Sequence, residues 1–146
     1  MSILEMKDIS VTVGDKTLLE GVSLSIESGK VHVLMGPNGS GKPSLLNAIM
    51  GHPKYTITEG AVVLDSIDIT ELTPEKKAKA GLFLSLQHLP EIAGVTLTNF
   101  MYRAYKETKG TNMSALEFYK MSVKLAEEAG LDAGFLKKSV NSGLSG

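Results

Sequence analysis

The N-terminal stretch alternates apolar and polar residues with the period of two that is typical of half-buried β-strands. The apolar members are Ile9, Val11 and Val13 in the first stretch and Val22, Leu24 and Ile26 in the second. A turn signal, Gly14-Asp15, lies between the two stretches. An alternation with one apolar face is the pattern of antiparallel sheets. It therefore predicts an antiparallel β portion at the start of the chain.

Two later stretches are apolar without alternation. They span 31–35 and 82–86, and such continuous runs are typical of strands in the buried, parallel centre of an α/β sheet. His32 lies inside the first run, so we expect it to be a packed core histidine. Gln87 directly follows the second run, at the strand end where open α/β sheets bind ligands.

Helical patterns separate and follow these strands. The first two expected helices are one over 45–50 that ends near Gly51 and a short one that is capped by Thr73-Pro74 and reaches 79 or 80. Three more are expected later in the chain: one capped by Thr98 and reaching about 108, one that begins at the capping box Ser114–Glu117, and a short one after Asp132. From residue 95 onwards the chain is therefore expected to be helical.

A glycine-rich segment joins the first apolar run to the first helix. The order of strand, loop and helix is the context that a phosphate-binding P-loop requires, and the spacing Gly-x-x-x-x-Gly-Lys is present. Three glycines within six residues let successive N–H groups point at one anion, and the helix adds its positive end. The candidate nucleotide-binding residues are Gly36, Pro37, Asn38, Gly39, Ser40, Gly41, Lys42, Pro43, Ser44 and, farther along the chain, Gln87.

One position departs from the P-loop pattern. The residue after Lys42 normally carries a hydroxyl that binds Mg²⁺, and here it is Pro43. Proline fits the first helical turn, but it supplies neither a hydroxyl nor an N–H. Ser44 is no simple replacement, because one residue along a helix rotates a side chain by about 100°. The sequence therefore puts magnesium binding in doubt while leaving the phosphate loop and its helix in place.

Composition narrows the function classes. The 146 residues are 42% hydrophobic with a net charge of −1, which suits one domain with a core and gives no electrostatic case for nucleic acid. No cysteine is present, and no apolar stretch approaches the length of a membrane span, so we expect a cytoplasmic protein without direct membrane insertion. The three histidines are too scattered to suggest a metal site, and the pairs Lys76-Lys77 and Lys137-Lys138 are expected to be solvated.

Three segments carry a resemblance to a known family. The run 36–42 reads GPNGSGK, the form of the Walker A motif in ABC-type ATPases, and Gln87 falls where that family places its Q-loop glutamine. The segments 90–95 and 139–146 resemble the stretch after the Q-loop and the run into the signature motif of the SufC-type ATPases of SUF iron–sulfur cluster assembly. The chain thus resembles a SufC-like ABC ATPase over essentially its whole length.

The resemblance implies an α/β P-loop NTPase fold, here an incomplete ABC nucleotide-binding domain over 1–146. Its first part, 1–87, would be the start of the RecA-like core with the antiparallel β portion, and 88–146 would be the helical segment. ATP would be the ligand, and Gln87 would reach Mg²⁺ or its water. The implied partners are SufB/SufD-like scaffold subunits and a second copy in an ATP-dependent homodimer.

The resemblance also implies ATP hydrolysis by lineage, but no catalytic residue can be assigned. No apolar strand in the sequence ends in an Asp-Glu pair, so the Walker B glutamate is not found, and neither are the D-loop and switch histidine. We therefore expect no turnover from this chain alone. Two alternatives stay open: the ATP-binding subunit of an ABC transporter, and a non-hydrolytic nucleotide-binding or scaffold-docking fragment.

Overall fold

A computed structural model of the chain describes residues 2–86 and 91–141. Along the chain lie β1 (Ile3–Val13), β2 (Lys16–Glu27), α1 (Lys42–Met50), β3 (Thr56–Leu64), β4 (Ile67–Asp68), α2 (Pro74–Lys79), β5 (Ile92–Thr96), α3 (Leu97–Lys109), α4 (Ala115–Glu128), a 3-10 helix (Ala133–Lys137) and β6 (Ser139–Val140). The chain divides into two compact units, Met1–Leu84 and Ser85–Gly146.

The first unit is built on an antiparallel sheet with the strand order β2-β1-β3-β4. The predicted β pair is confirmed, and along β2 the half-buried Val22, Leu24 and Ile26 alternate with the exposed Ser23 and Ser25. Helix α1 packs on this sheet. The fully buried core consists of Met6, Ile9, Val11, Leu45, Ala48, Ile49, Val62 and Ile69.

Strand β1 contains an irregularity within its antiparallel pairing with β3. Its register against β3 shifts between Lys7 and Ser10, and Asp8 has a φ of 51°. Gly60 of β3 lies directly against this point, because a Cβ placed on it would be 2.3 Å from the carbonyl oxygen of Lys7 and 2.4 Å from that of Asp8. Only glycine leaves room for the two backbones to approach this closely.

The two continuous apolar runs do not form the predicted buried strands, and these predictions were wrong. Neither 31–35 nor 82–86 belongs to a sheet within the described residues, and both Val31 (94%) and Phe83 (90%) are largely exposed. His32 is likewise exposed rather than packed in the core, and its Nε2 accepts a hydrogen bond from the Glu27 N–H at 3.2 Å. A buried central strand needs neighbouring strands for its backbone groups, and the described residues supply none here.

These runs border an open apolar cavity of about 500 Å³ in the first unit. Its walls come from β1, β2, α1 and the two runs, and include Leu4, Met6, Leu24, Ile49, Val33 and Phe83. Val33 and Leu34 of the first run and residues 82–84 of the second thus border the same space, although no strand pairing joins them.

Lys77 also departs from the sequence prediction. It is 1% exposed rather than solvated, and its ammonium donates a hydrogen bond to the Thr70 carbonyl oxygen at 2.9 Å. Burial lowers the pKa of Lys77, and the carboxylates of Glu71 and Asp68 oppose that shift. The amine also approaches Gly51, the left-handed residue that ends α1 where the sequence placed its end. Lys77 therefore links α2 to the segment that precedes it, close to the end of α1.

The second unit contains α3, α4, the 3-10 helix and the short antiparallel pair β5-β6. Thr96, not the predicted Thr98, caps α3 by accepting a hydrogen bond from the Asn99 N–H, while Thr98 donates to the Leu136 carbonyl oxygen at 2.8 Å. Phe118 of α4 packs against the rings of Tyr102 and Tyr105 on α3. The region thus contains the expected helices, with one cap displaced by two residues, and also a short strand pair that the sequence did not predict.

The predicted capping box at the start of α4 is present. The Ser114 hydroxyl accepts from the Glu117 N–H at 3.3 Å, and a Glu117 carboxylate oxygen accepts from the Ser114 N–H at 2.9 Å. The Ser114 hydroxyl and N–H hold the pKa of Glu117 below its usual range. A lowered carboxyl pKa contributes stability that is present above the ordinary glutamate pKa and is lost as pH falls through the lowered one.

Ser114→Ala should therefore lower the free energy of unfolding by about 1 kcal/mol at neutral pH, the usual cost of losing an N-cap side chain. Urea denaturation followed by circular dichroism at pH 7 and pH 3 measures this cost. We expect the difference from the unmodified chain to shrink at pH 3. Ser25→Ala, at an exposed position on β2, is the matched control. An equal loss in both variants would contradict the capping role.

Candidate phosphate-binding loop

The glycine-rich loop directly precedes α1. Gly39 and Gly41 have φ values of +83° and +85°, in the left-handed region that glycine adopts without strain. The Ser40 N–H closes a turn on the Pro37 carbonyl oxygen at 3.3 Å, and the segment 36–40 is exposed. The sequence thus produces an open, tightly curled loop at the N-terminus of a helix, as the motif predicted.

A close approach to β2 also favours glycine at position 41. It is the N-cap of α1, and the Leu45 N–H bonds its carbonyl oxygen at 2.9 Å. A Cβ placed on Gly41 would lie 2.6 Å from a methyl carbon of Leu19 on β2. The loop is therefore seated against the sheet at its last residue, a contact that the motif spacing alone did not reveal.

The Lys42 ammonium lies inside the loop. Its Nζ is 2.7 Å from the carbonyl oxygens of both Gly36 and Pro37, and 3.2 Å from the Ser40 hydroxyl oxygen. The lysine side chain therefore folds back and places its positive charge within the loop. The two carbonyl contacts fix that charge, while the Ser40 hydroxyl is a neutral partner that an anionic oxygen could replace.

The same loop carries backbone donors without a partner. The N–H groups of Asn38, Gly39, Gly41 and Lys42 find no hydrogen-bond acceptor among the described residues. The first turn of α1 holds no acidic residue, so the positive end of the helix is not offset locally. Free N–H groups, a helix N-terminus and a fixed ammonium are together the chemical groups that can bind a phosphate.

Pro43 lies in the first turn of α1 and is exposed. Its carbonyl oxygen accepts a hydrogen bond from the Asn47 side-chain amide at 2.8 Å, one turn farther along the helix. Its ring nitrogen bears no hydrogen and its side chain has no oxygen, so this position offers neither a phosphate donor nor a metal ligand. The loop fits a phosphate group, but it does not fit the magnesium ion that usually accompanies one.

The remaining site prediction, Gln87 as a magnesium contact, lies outside the described residues, as does most of the run 139–146. Within 2–86 and 91–141, no cluster of three or more His, Cys, Asp or Glu side chains could hold a metal ion. The assignments of individual site residues therefore stay predictions, and the geometry supports those in the loop.

The chain is similar to known proteins over nearly its whole length. The family model described as ABC transporter matches residues 19–142. A probable ATP-dependent transporter, ycf16, of Pyropia yezoensis is 40% identical over 149 residues, covering 99% of this chain and 59% of that protein. Vegetative protein 296 of Bacillus subtilis is 40% identical over 147 residues, covering 99% of this chain and 56% of that protein. The chain thus spans somewhat more than half the length of these relatives.

Solved structures share the fold. The ATP-binding cassette MJ0796, a dimer in a post-hydrolysis state with ADP and Pi, matches with a TM-score of 0.78 at 25% identity, over 97% of this chain and 63% of that chain. A nucleotide-free ATP-binding cassette from an ABC transporter matches with a TM-score of 0.67 at 27% identity, over 99% and 60%. The P-loop NTPase fold, incomplete relative to these cassettes, is therefore confirmed. In the part of the chain that is described, no helix combines the length and apolarity needed to cross a bilayer.

Proposed function

Since the chain belongs to the ABC transporter family of ATP-binding proteins, we propose that it binds ATP through the loop 36–44 as part of an ABC-type ATPase. The observation that carries this proposal is the Lys42 ammonium, held by two carbonyl oxygens of a loop that has free backbone N–H groups and leads directly into α1. Such a site binds the terminal phosphates of a nucleotide by charge and by hydrogen bonds.

The finer role that we propose is in SUF-type iron–sulfur cluster assembly. The segments 90–95 and 139–146 support it, because they resemble the corresponding segments of SufC-type sequences. The Walker A motif alone does not account for that resemblance. On this proposal the partners are SufB/SufD-like scaffold subunits and a second copy that closes over ATP. The alternative, an ABC transporter subunit, is supported by the name ATP-dependent transporter that ycf16 carries.

A second candidate function is a nucleotide-binding module without hydrolysis. Pro43 favours it, because phosphoryl transfer in P-loop proteins relies on a magnesium ion held partly by the residue at this position. In this candidate the loop still binds the nucleotide, and the chain acts through docking to a scaffold.

Isothermal titration of the chain with ATP tests the common part of these proposals. We expect saturable binding of one ATP per chain, with inorganic triphosphate competing because the contacts are to phosphates. Absence of binding to ATP, ADP and triphosphate alike would contradict the proposed function.

Co-expression with SUF scaffold subunits separates the finer roles. Co-purification with a SufB/SufD-like pair, but not with a transporter membrane domain, is expected for the SUF role. The reverse pattern would favour the transporter role.

A further inference from the structure

We infer that Pro43 determines the form of the ligand: this loop takes the polyphosphate of a nucleotide without a bound divalent cation. The inference rests on the proposed nucleotide binding and goes beyond it by naming which ionic form is bound and which residue selects it.

Pro43 removes two groups that the P-loop pattern normally supplies. In the P-loop pattern the residue after the lysine contributes a hydroxyl to Mg²⁺ and an N–H to the phosphates. Pro43 lies in the first turn of α1, where N–H groups have no partner within the helix and are free for an anion. The proline ring therefore deletes one metal ligand and one phosphate donor at a single position, while its fixed φ leaves the helix intact.

Neither Ser44 nor Asn47, the polar residues that follow Pro43 in α1, replaces the missing oxygen. Ser44, half-buried, follows Pro43 directly, and one residue along a helix turns the side chain by about 100°. Asn47, one turn farther along the helix, uses its amide nitrogen on the Pro43 carbonyl oxygen at 2.8 Å. Within the described residues no cluster of three or more His, Cys, Asp or Glu side chains could hold a metal ion.

The loop can neutralise phosphate charge with its own ammonium and N–H groups. The Lys42 ammonium is held 2.7 Å from two carbonyl oxygens, and the same loop carries free N–H groups and leads into a helix with no acidic residue in its first turn. A divalent cation brought in with the nucleotide would meet this positive site without gaining a protein ligand at position 43. The free nucleotide anion should therefore bind at least as well as its magnesium complex.

Two substitutions at one position separate the two missing groups. Pro43→Ala restores the backbone N–H alone, and Pro43→Ser restores the N–H and the hydroxyl. Each variant and the unmodified chain is titrated with ATP in excess EDTA and again in excess Mg²⁺. The readout is the dissociation constant, so no turnover is needed.

For the unmodified chain we expect an affinity in Mg²⁺ that is equal to or lower than the affinity in EDTA. Pro43→Ala should bind about threefold to tenfold more tightly in both conditions, the value of one added hydrogen bond. Pro43→Ser alone should gain a further increase of about tenfold that appears only with Mg²⁺.

Magnesium strengthening the unmodified chain as much as Pro43→Ser would overturn the inference and leave the proposed function standing. ATP binding that appears only in Pro43→Ser with Mg²⁺ would also overturn it, because the natural loop would then bind no nucleotide form. Failure of all three proteins to bind ATP in either condition would instead remove the proposed function on which the inference rests.

Discussion

Replacing Lys42 by methionine is expected to weaken ATP binding by about 10- to 100-fold, the loss that follows from removing a charge-assisted hydrogen bond to phosphate. The Lys42 ammonium is the cation that the Gly36 and Pro37 carbonyl oxygens fix inside the loop, each at 2.7 Å. Methionine keeps the length of the side chain and its helix propensity, so the helix should persist while the charge is lost. If Mg²⁺ adds little at this site, the lysine carries a larger share of the binding than in a P-loop with a metal ligand.

Isothermal titration of Lys42→Met in EDTA measures this effect. Lys16→Met, at the exposed first residue of β2, is the matched control and should bind ATP as the unmodified chain does. Thermal unfolding should be cooperative in both variants, which separates loss of the site from loss of the fold. Equal affinities for Lys42→Met and Lys16→Met would show that the loop is not the binding site.

Replacing Gly60 by alanine is expected to lower the free energy of unfolding by about 3 kcal/mol or more. The new Cβ would lie 2.3 Å from the Lys7 carbonyl oxygen and 2.4 Å from that of Asp8, and both obstacles are backbone. The φ of +86° adds the cost that any L side chain meets in the left-handed region. Since β1 lies between β2 and β3, displacing it would disturb the core under α1.

Gly14→Ala separates the cost of the positive φ from the cost of the steric clash. Gly14 also has a positive φ, +54°, but a Cβ there would meet nothing within 4 Å. This variant should cost only about 1 kcal/mol, because it carries the backbone term without the clash. Denaturation in urea compares the two, and a loss no larger for Gly60→Ala than for Gly14→Ala would contradict the close approach of β1 and β3.

The candidate site was largely predictable because its information is local. The left-handed turns at Gly39 and Gly41, the helix that follows them and the departure at Pro43 all follow from neighbouring residues and their allowed backbone angles. The contact between Gly41 and Leu19 was not predictable, because the two residues are far apart in sequence and no local pattern links them. The position of Gln87 stays a prediction from the resemblance.

The sequence by itself determined the elements whose signals are short-range: the alternating strands β1 and β2, the helix ends at Gly51 and Thr73, and the capping box at Ser114. Only the tertiary structure decided that the run 31–35 is exposed and that Lys77 is buried. An apolar run indicates a tendency to be buried, but a strand becomes buried only where neighbouring strands bond its backbone. A lysine is solvated by default, and here the fold buries its side chain near Gly51 and supplies the Thr70 carbonyl oxygen as a partner.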